Sequence, residues 1–223
     1  MIISSNESSP SGLVWDGDNY SCAYDALFTI LYEIWSTDTK TWKIRFKEIN
    51  QHHLKSLSAC FKKYMNGQAN CEYSEPSIDD SLEFVLHEKD DSQKSTSQWL
   101  GSLEHKTHER CPQCLSALMQ PISFKTIPSV LVFEINSRNI KVSKTLKFEQ
   151  EGETVVLDVR GLIYHGDFQF TSHIIGTDGI VWYHDGVTAG SSCEIEGDFD
   201  KFSSKKLLKC KRKQLILVVY VRV

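Results

Sequence analysis

Cys22 stands where a polar turn, Trp15-Asp16-Gly17-Asp18-Asn19, gives way to an apolar run. Ala23, Leu27, Ile30, Leu31 and Ile34 recur behind it at helical spacing, which predicts a helix with Cys22 at its start. A helix N-terminus presents unpaired N–H groups and the positive end of the macrodipole, and both favour a thiolate over a thiol. Nucleophilic chemistry at a thiolate then needs a base, a group that orients the base, and donors for an oxyanion. Asn19 has a side-chain amide suited to the last role and is equally suited to the turn itself. Asp16 and Asp18 are candidate helix caps. A free cysteine in an apolar segment is more often inert core filler, so the remaining chemistry has to come from elsewhere in the chain.

Residues 162–186 supply candidates. Thr171, His173 and Ile175 alternate with Ser172 and Ile174, the pattern of a strand. Thr177-Asp178-Gly179 is a tight hairpin turn, Ile180 to His184 read as the return strand, and Asp185-Gly186 ends it. Two paired strands that carry an imidazole and a carboxylate toward a helix-borne cysteine have the Cys-His-Asp logic of a thiol protease.

Four segments together resemble the ubiquitin-specific proteases. Asn19-Tyr20-Ser21-Cys22, opening a long helix, looks like their Cys box. Tyr164-His165-Gly166 through Trp182-Tyr183-His184-Asp185 looks like their His box. Pro128 to Ile135 resembles the central palm strand between the boxes, and Gln214 to Arg222 the closing strand. The compact, divergent members are closest in form, such as the SUMO-directed ubiquitin-specific-protease-like peptidases and related domains of fungal mobile elements. The resemblance implies an α+β, papain-like fold with a helical thumb followed by an antiparallel sheet palm and short fingers. It also implies a thiol isopeptidase that removes ubiquitin or a ubiquitin-like modifier such as SUMO from lysine. Cys22 would attack the carbonyl after the modifier's terminal Gly-Gly, Asn19 would help hold the oxyanion, and Asp185 would orient the base.

The base itself departs from the family pattern. The catalytic histidine there precedes an aromatic and a small residue, and the matching position here is Gln169, in Gln169-Phe170-Thr171. An amide does not titrate and cannot act as a general base. His165 matches a different, non-catalytic histidine of the pattern. His173 lies four residues beyond the expected place, about 13 Å further along a strand. Three alternatives follow: a His-to-Gln inactivating change, a natural pseudo-protease that keeps its modifier-binding surface, or a register shift that brings His173 or His165 to Cys22.

A second constellation is His105-x-x-His108-x-x-Cys111-Pro-Gln-Cys114. Cys-x-x-Cys is the usual zinc knuckle, because its tight turn brings two sulfurs to one tetrahedral ion. Two more ligands are needed, and His105, His108, Cys71 and Cys60 are the candidates. The expected cofactor is therefore a structural zinc; the plain alternative is a vestigial knuckle held by turn chemistry alone.

Composition sets the frame. The chain of 223 residues carries a formal net charge of -4, so no general nucleic-acid footprint is expected. No apolar run approaches the roughly 20 residues that span a bilayer. Seven cysteines at irregular spacing, with no secretory signal, point to reduced thiols in the cytoplasm or nucleus. Residues 1–11 read as a flexible tail and 12–223 as one domain, expected to be monomeric. Within it, 12–123 is mainly helical with the finger insert, and 124–223 is mainly sheet. Expected helices cover Leu27 to Trp35, Trp42 to Ile49, Leu54 to Met65, and Ile78 to Glu88 capped by Ser77. Helices first and sheet second give α+β. The lysine-rich stretch from Lys205 to Lys213 reads as a solubilising hairpin.

Overall fold

Asp38 and Asn50 punctuate the helical half. The Asp38 carboxylate accepts from the backbone N–H groups of Lys40 and Thr41 at 3.2 and 3.1 Å, which separates a first helix, α1 (Cys22–Thr37), from a second, α2 (Thr39–Ile49). The Asn50 amide oxygen accepts from His52 and His53 at 2.9 and 2.7 Å and starts α3 (His53–Met65). The structure, a computed structural model, describes residues 9–14, 22–68, 95–100, 104–121, 124, 126–135 and 140–223. The side chains of 99–100, 104–108 and 117–121 lie outside that description, and so does the helix expected over Ile78 to Glu88.

A short helix, α4 (Thr96–Leu100), leads to a two-stranded hairpin of β1 (Glu104–Arg110) and β2 (Ala117–Pro121). The remaining strands form one eight-stranded antiparallel sheet: β3 (Val130–Glu134), β4 (Thr145–Gln150), β5 (Glu153–Gly166), β6 (Gln169–Ile175), β7 (Ile180–His184), β8 (Cys193–Asp198), β9 (Lys209–Cys210) and β10 (Lys213–Arg222). Their order is β3-β10-β5-β6-β7-β8, with β4 on β5 and β9 on β10. The fold is α+β, helices first and antiparallel sheet second, as expected. One correction concerns Pro128 to Ile135: its strand, β3, ends the row instead of occupying the centre, which belongs to β5 and β6.

The sheet separates two cores. On one face Ile163, Ile174, Trp182 and Val219 pack against Ile30, Ile34 and Trp35 of α1 and against Phe46 and Phe61 behind it. On the other, Leu162, Tyr164, Ile175, Tyr183 and Tyr220 pack beneath Phe199, Phe202, Leu207 and Cys210. The latter come from a 3₁₀ turn at Phe199–Lys201, the short α5 (Ser204–Leu207) and β9. The alternation of β6 assigns its residues: Ile174 to the α1 face, His173 and Ile175 to the back. Gly161 allows α1 to lie this close, since a Cβ there would fall 2.5 Å from Ile30 Cδ1. No helix among the described residues is long and apolar enough to cross a membrane.

The end of the expected tail is packed. Pro10 is buried, Ser11 Oγ lies 3.0 Å from Tyr64 Oη, and Leu13 N–H donates to Thr29 Oγ1 at 3.0 Å. Cys60 departs from the expectation of reduced thiols, being disulfide-bonded.

Candidate active site

Cys22 is the first residue of α1, half-buried, with Asp25 in the same first turn. The helix end meets the sheet where β6 begins and β7 ends. Cys22, Asp25, Ala26, Phe170, Thr171, His184, Gly186 and Val187 line a narrow, shallow cleft there. Gln169 and Asp185 do not line it themselves, but each is flanked by residues that do: Phe170 beside the one, His184 and Gly186 beside the other.

Gln169 and Asp185 are joined directly. The Gln169 amide Nε2 donates to Asp185 Oδ1 at 2.6 Å across the start of the β6–β7 pair. The same carboxylate accepts from the backbone N–H groups of Val187 and Thr188 at 3.1 and 3.3 Å, and from the Tyr183 hydroxyl at 3.3 Å. Asp185 is only 5% exposed, and four donors satisfy it. Burial, with the Asp185 charge next, pushes the Tyr183 phenol well above its ordinary range, so it remains a donor. Asp185 therefore holds a side-chain donor on β6 in place, whatever that donor is. In this chain it is an amide.

The histidines are placed differently from one another. His184 reaches the cleft, and the sequence reading did not single it out. Its Nε2 faces the Gly190 carbonyl at 3.0 Å, and the Leu13 carbonyl is a second partner. Burial pushes its imidazole below the ordinary 6.5, partly offset by those carbonyls and by Asp185. Its ring also fills the space at Gly12, where a Cβ would lie 2.0 Å from Nε2. His184 thus clamps the 9–14 segment to the 185–192 loop, a contact completed by Gly12 N–H donating to Ser191 O at 2.8 Å. The available signal was its place next to Asp185 on a strand whose alternation turns it toward α1.

His173, offered above as a displaced base, does not line the cleft. It is 1% exposed on the back face, with Nδ1 2.9 Å from Tyr164 Oη and Nε2 3.1 Å from Glu196 Oε2. His165 is exposed and its ring lies against Phe170, centroids 4.4 Å apart. Among the described residues no imidazole nitrogen is directed at Cys22. Asn19 lies outside the described residues.

The hairpin turn preceding Gln169 is unusual. Asp167 and Phe168 have φ of 53° and 59°, and Phe168 is 99% exposed. Positive φ is rare for a bulky residue and costs strain unless something repays it.

Cys111 and Cys114 sit on the turn between β1 and β2, closed by Cys111 N–H to Ser116 O at 2.8 Å and Leu115 N–H to Cys111 O at 2.9 Å. Hydrogen bonds from Ser116, with a further one involving Cys111, hold the Cys114 thiol below its ordinary range. Two sulfurs drawn together on a tight turn fit one edge of a tetrahedral metal site. The side chains of His105 and His108, offered as the other ligands, lie outside the described residues.

No protein-family model matches the chain, and no curated protein matches it in sequence. Among solved structures it is similar to a yeast SAGA DUB module carrying an Sgf73 mutant, with 12% identity and a TM-score of 0.45 over all of this chain and 71% of the other. It is also similar to a SAGA DUB module of Ubp8, Sgf11, Sus1 and Sgf73 bound to monoubiquitin, with 13% identity and a TM-score of 0.39 over 92% of this chain and 58% of the other. At these scores neither likeness decides what this chain does.

Proposed function

We propose that the cleft is a thiol-isopeptidase site of the ubiquitin-specific-protease type whose base position is filled by Gln169, and that it holds the C-terminal tail of ubiquitin or a ubiquitin-like modifier without hydrolysing it. The observation that carries this reading is the 2.6 Å bond from Gln169 Nε2 to Asp185 Oδ1. An amide takes the hydrogen bond that would orient an imidazole, so the orienting carboxylate is kept and the proton acceptor is missing. Cys22 at the N-terminus of α1 and the adjoining cleft are the retained parts. The exposed Phe168, in its strained turn one residue before Gln169, offers an apolar contact to an incoming tail. The reading includes an intracellular setting, cytoplasm or nucleus, against which the Cys60 disulfide counts. It also includes a structural zinc on Cys111 and Cys114, with His105 and His108 as the proposed further ligands.

The competing reading is an active isopeptidase, favoured by the retention of a nucleophile-type cysteine at a helix start. Two assays on the same protein separate them. Titration with isotope-labelled ubiquitin and with SUMO is expected to shift resonances of one modifier's C-terminal tail. Cleavage of modifier–aminocoumarin substrates is expected to stay at background. Turnover that Cys22→Ala abolishes would establish the enzyme instead, and absence of both binding and turnover would remove the assignment.

A further inference from the structure

His173 does not serve the cleft, yet it is the most heavily engaged imidazole described. Its Nε2 lies 3.1 Å from Glu196 Oε2 and 3.4 Å from Cys210 Sγ. One ligand-type atom from each of His173, Glu196 and Cys210 falls within 4.8 Å of the others. The three residues come from β6, β8 and β9, distant in sequence and joined only by the fold.

The hydrogen bonds around the ring bear on its tautomer. Tyr164 Oη donates its one proton to the Leu207 carbonyl at 3.1 Å, which can only accept. Toward His173 Nδ1, 2.9 Å away, the phenol oxygen is then the acceptor, and Nδ1 carries the proton. The neutral ring therefore turns a lone pair at Nε2 toward a carboxylate oxygen and a sulfur. A carboxylate oxygen, an imidazole lone pair and a thiol sulfur converge on one point, where the thiol proton can be shared among them or a metal ion can take its place.

The spacing and donor set suit the metal. With Zn–N and Zn–O near 2.0–2.1 Å and Zn–S near 2.3 Å, tetrahedral edges are about 3.3–3.4 Å for N···O and about 3.6 Å for N···S. The separations of 3.1 and 3.4 Å lie within a few tenths of an ångström of those edges. A neutral imidazole, a carboxylate and a thiolate give two negative charges against a dication. A hydrogen bond from Nδ1 to an oxygen is the usual outer-shell support of a metal-bound histidine. Glu196 is 22% exposed at its side chain, which opens the site to solvent on one side. Lys206 Nζ lies 3.6 Å over the Phe202 ring and Lys211 Nζ 3.4 Å over the Tyr183 ring, and both, with Lys213 opposite Cys210 on β10, are near enough to bear electrostatically on the Cys210 thiol.

We propose that His173, Glu196 and Cys210 form a zinc-class site on the back face of the sheet, separate from the Cys111–Cys114 turn, that ties strand β8 and the β9–β10 hairpin to β6. On binding, the Cys210 thiol proton leaves to water and the sulfur, Nε2 and Oε2 each give one lone pair to the ion. The fourth position is left to water.

Cobalt(II), added to the metal-free full chain, is the probe, because thiolate ligation in a tetrahedral site gives a charge-transfer band and intense visible bands. We expect these bands with the parent chain and, reduced only by the share of the Cys111–Cys114 turn, with the Cys111→Ser/Cys114→Ser variant, whose substitutions lie on a surface turn. Cys210→Ser should lose the charge-transfer component from this site. Glu196→Gln, at a partly exposed position, should weaken cobalt affinity at least tenfold while the far-ultraviolet dichroism is unchanged. Zinc should compete cobalt away, and a chelator should lower the melting temperature of the Cys111→Ser/Cys114→Ser variant. The proposal is overturned if the Cys111→Ser/Cys114→Ser variant gives no cobalt bands, or if Glu196→Gln binds cobalt as tightly as the parent.

Discussion

Gln169 and His173 lie on the same strand, four residues apart, and the two ends of β6 have opposite fates. At the first end, a non-titrating amide is bonded to Asp185, next in sequence to residues that line the Cys22 cleft. At the second, a fully buried imidazole sits among a phenol, a carboxylate and a thiol on the face away from α1. The difference teaches that position along a strand decides what a side chain can do, even for two residues of the same parity. A histidine one helical turn's worth of residues away is no substitute on a strand, where four residues are about 13 Å.

The largest expected contrast is chemical. Burial pushes the Cys193 thiol up to about 12, so near neutral pH its thiolate fraction is about 10³-fold below that of an ordinary thiol. Iodoacetamide with peptide mapping should modify Cys22, half-buried at the cleft, well before Cys193. Cys114, exposed and held low by Ser116, is the rival for first place. If Cys193 reacted ahead of Cys22, the cleft would not be open to reagents and the contrast between the regions would fail.

A second prediction strikes only the helix face. Gly161→Ala would place its Cβ 2.5 Å from both Ile30 Cδ1 and Cγ2, overpacking α1 against β5. We expect a loss of about 1–3 kcal/mol in denaturant unfolding. Cobalt binding on the back face should survive in the folded fraction. A neutral Gly161→Ala would mean that α1 sits further from the sheet.

The smallest effect is a pH dependence. His184 has a folded pKa below its ordinary 6.5, so the unfolded chain binds the proton more readily than the native state. The stabilisation from burying the neutral ring is present above about pH 6.5 and is lost as pH falls below it. Between pH 7.5 and 5 the melting temperature should drop, and His184→Gln should flatten that drop. An unchanged slope in the variant would show that another group carries it.

Much of the scaffold was legible because its signals are local. The α1 apolar stripe, the Thr177-Asp178-Gly179 turn and the β-branched run of β10 each state their structure within a few residues. The Gln169–Asp185 pair was legible only through the family resemblance, since the strand register sets Ser172 against His184 and does not place 169 opposite 185. The edge position of β3 was not, since strand order depends on long-range pairing that the sequence of one strand does not encode. Nor was the role of His184, which is fixed by the return of Gly12 and Leu13 to the sheet. The His173 cluster needs β8 and β9 to arrive from 23 and 37 residues downstream, with nothing local to mark Glu196 or Cys210 as its members.

The most direct test is to return an imidazole to position 169. Gln169→His should accept the Asp185 hydrogen bond partner's role and raise cleavage of the modifier–aminocoumarin substrate that the parent binds, by about 10²–10⁴-fold over the parent's background. His173→Ala should leave that gain intact. A parent already fast at turnover, abolished by His173→Ala and unimproved by Gln169→His, would contradict the account.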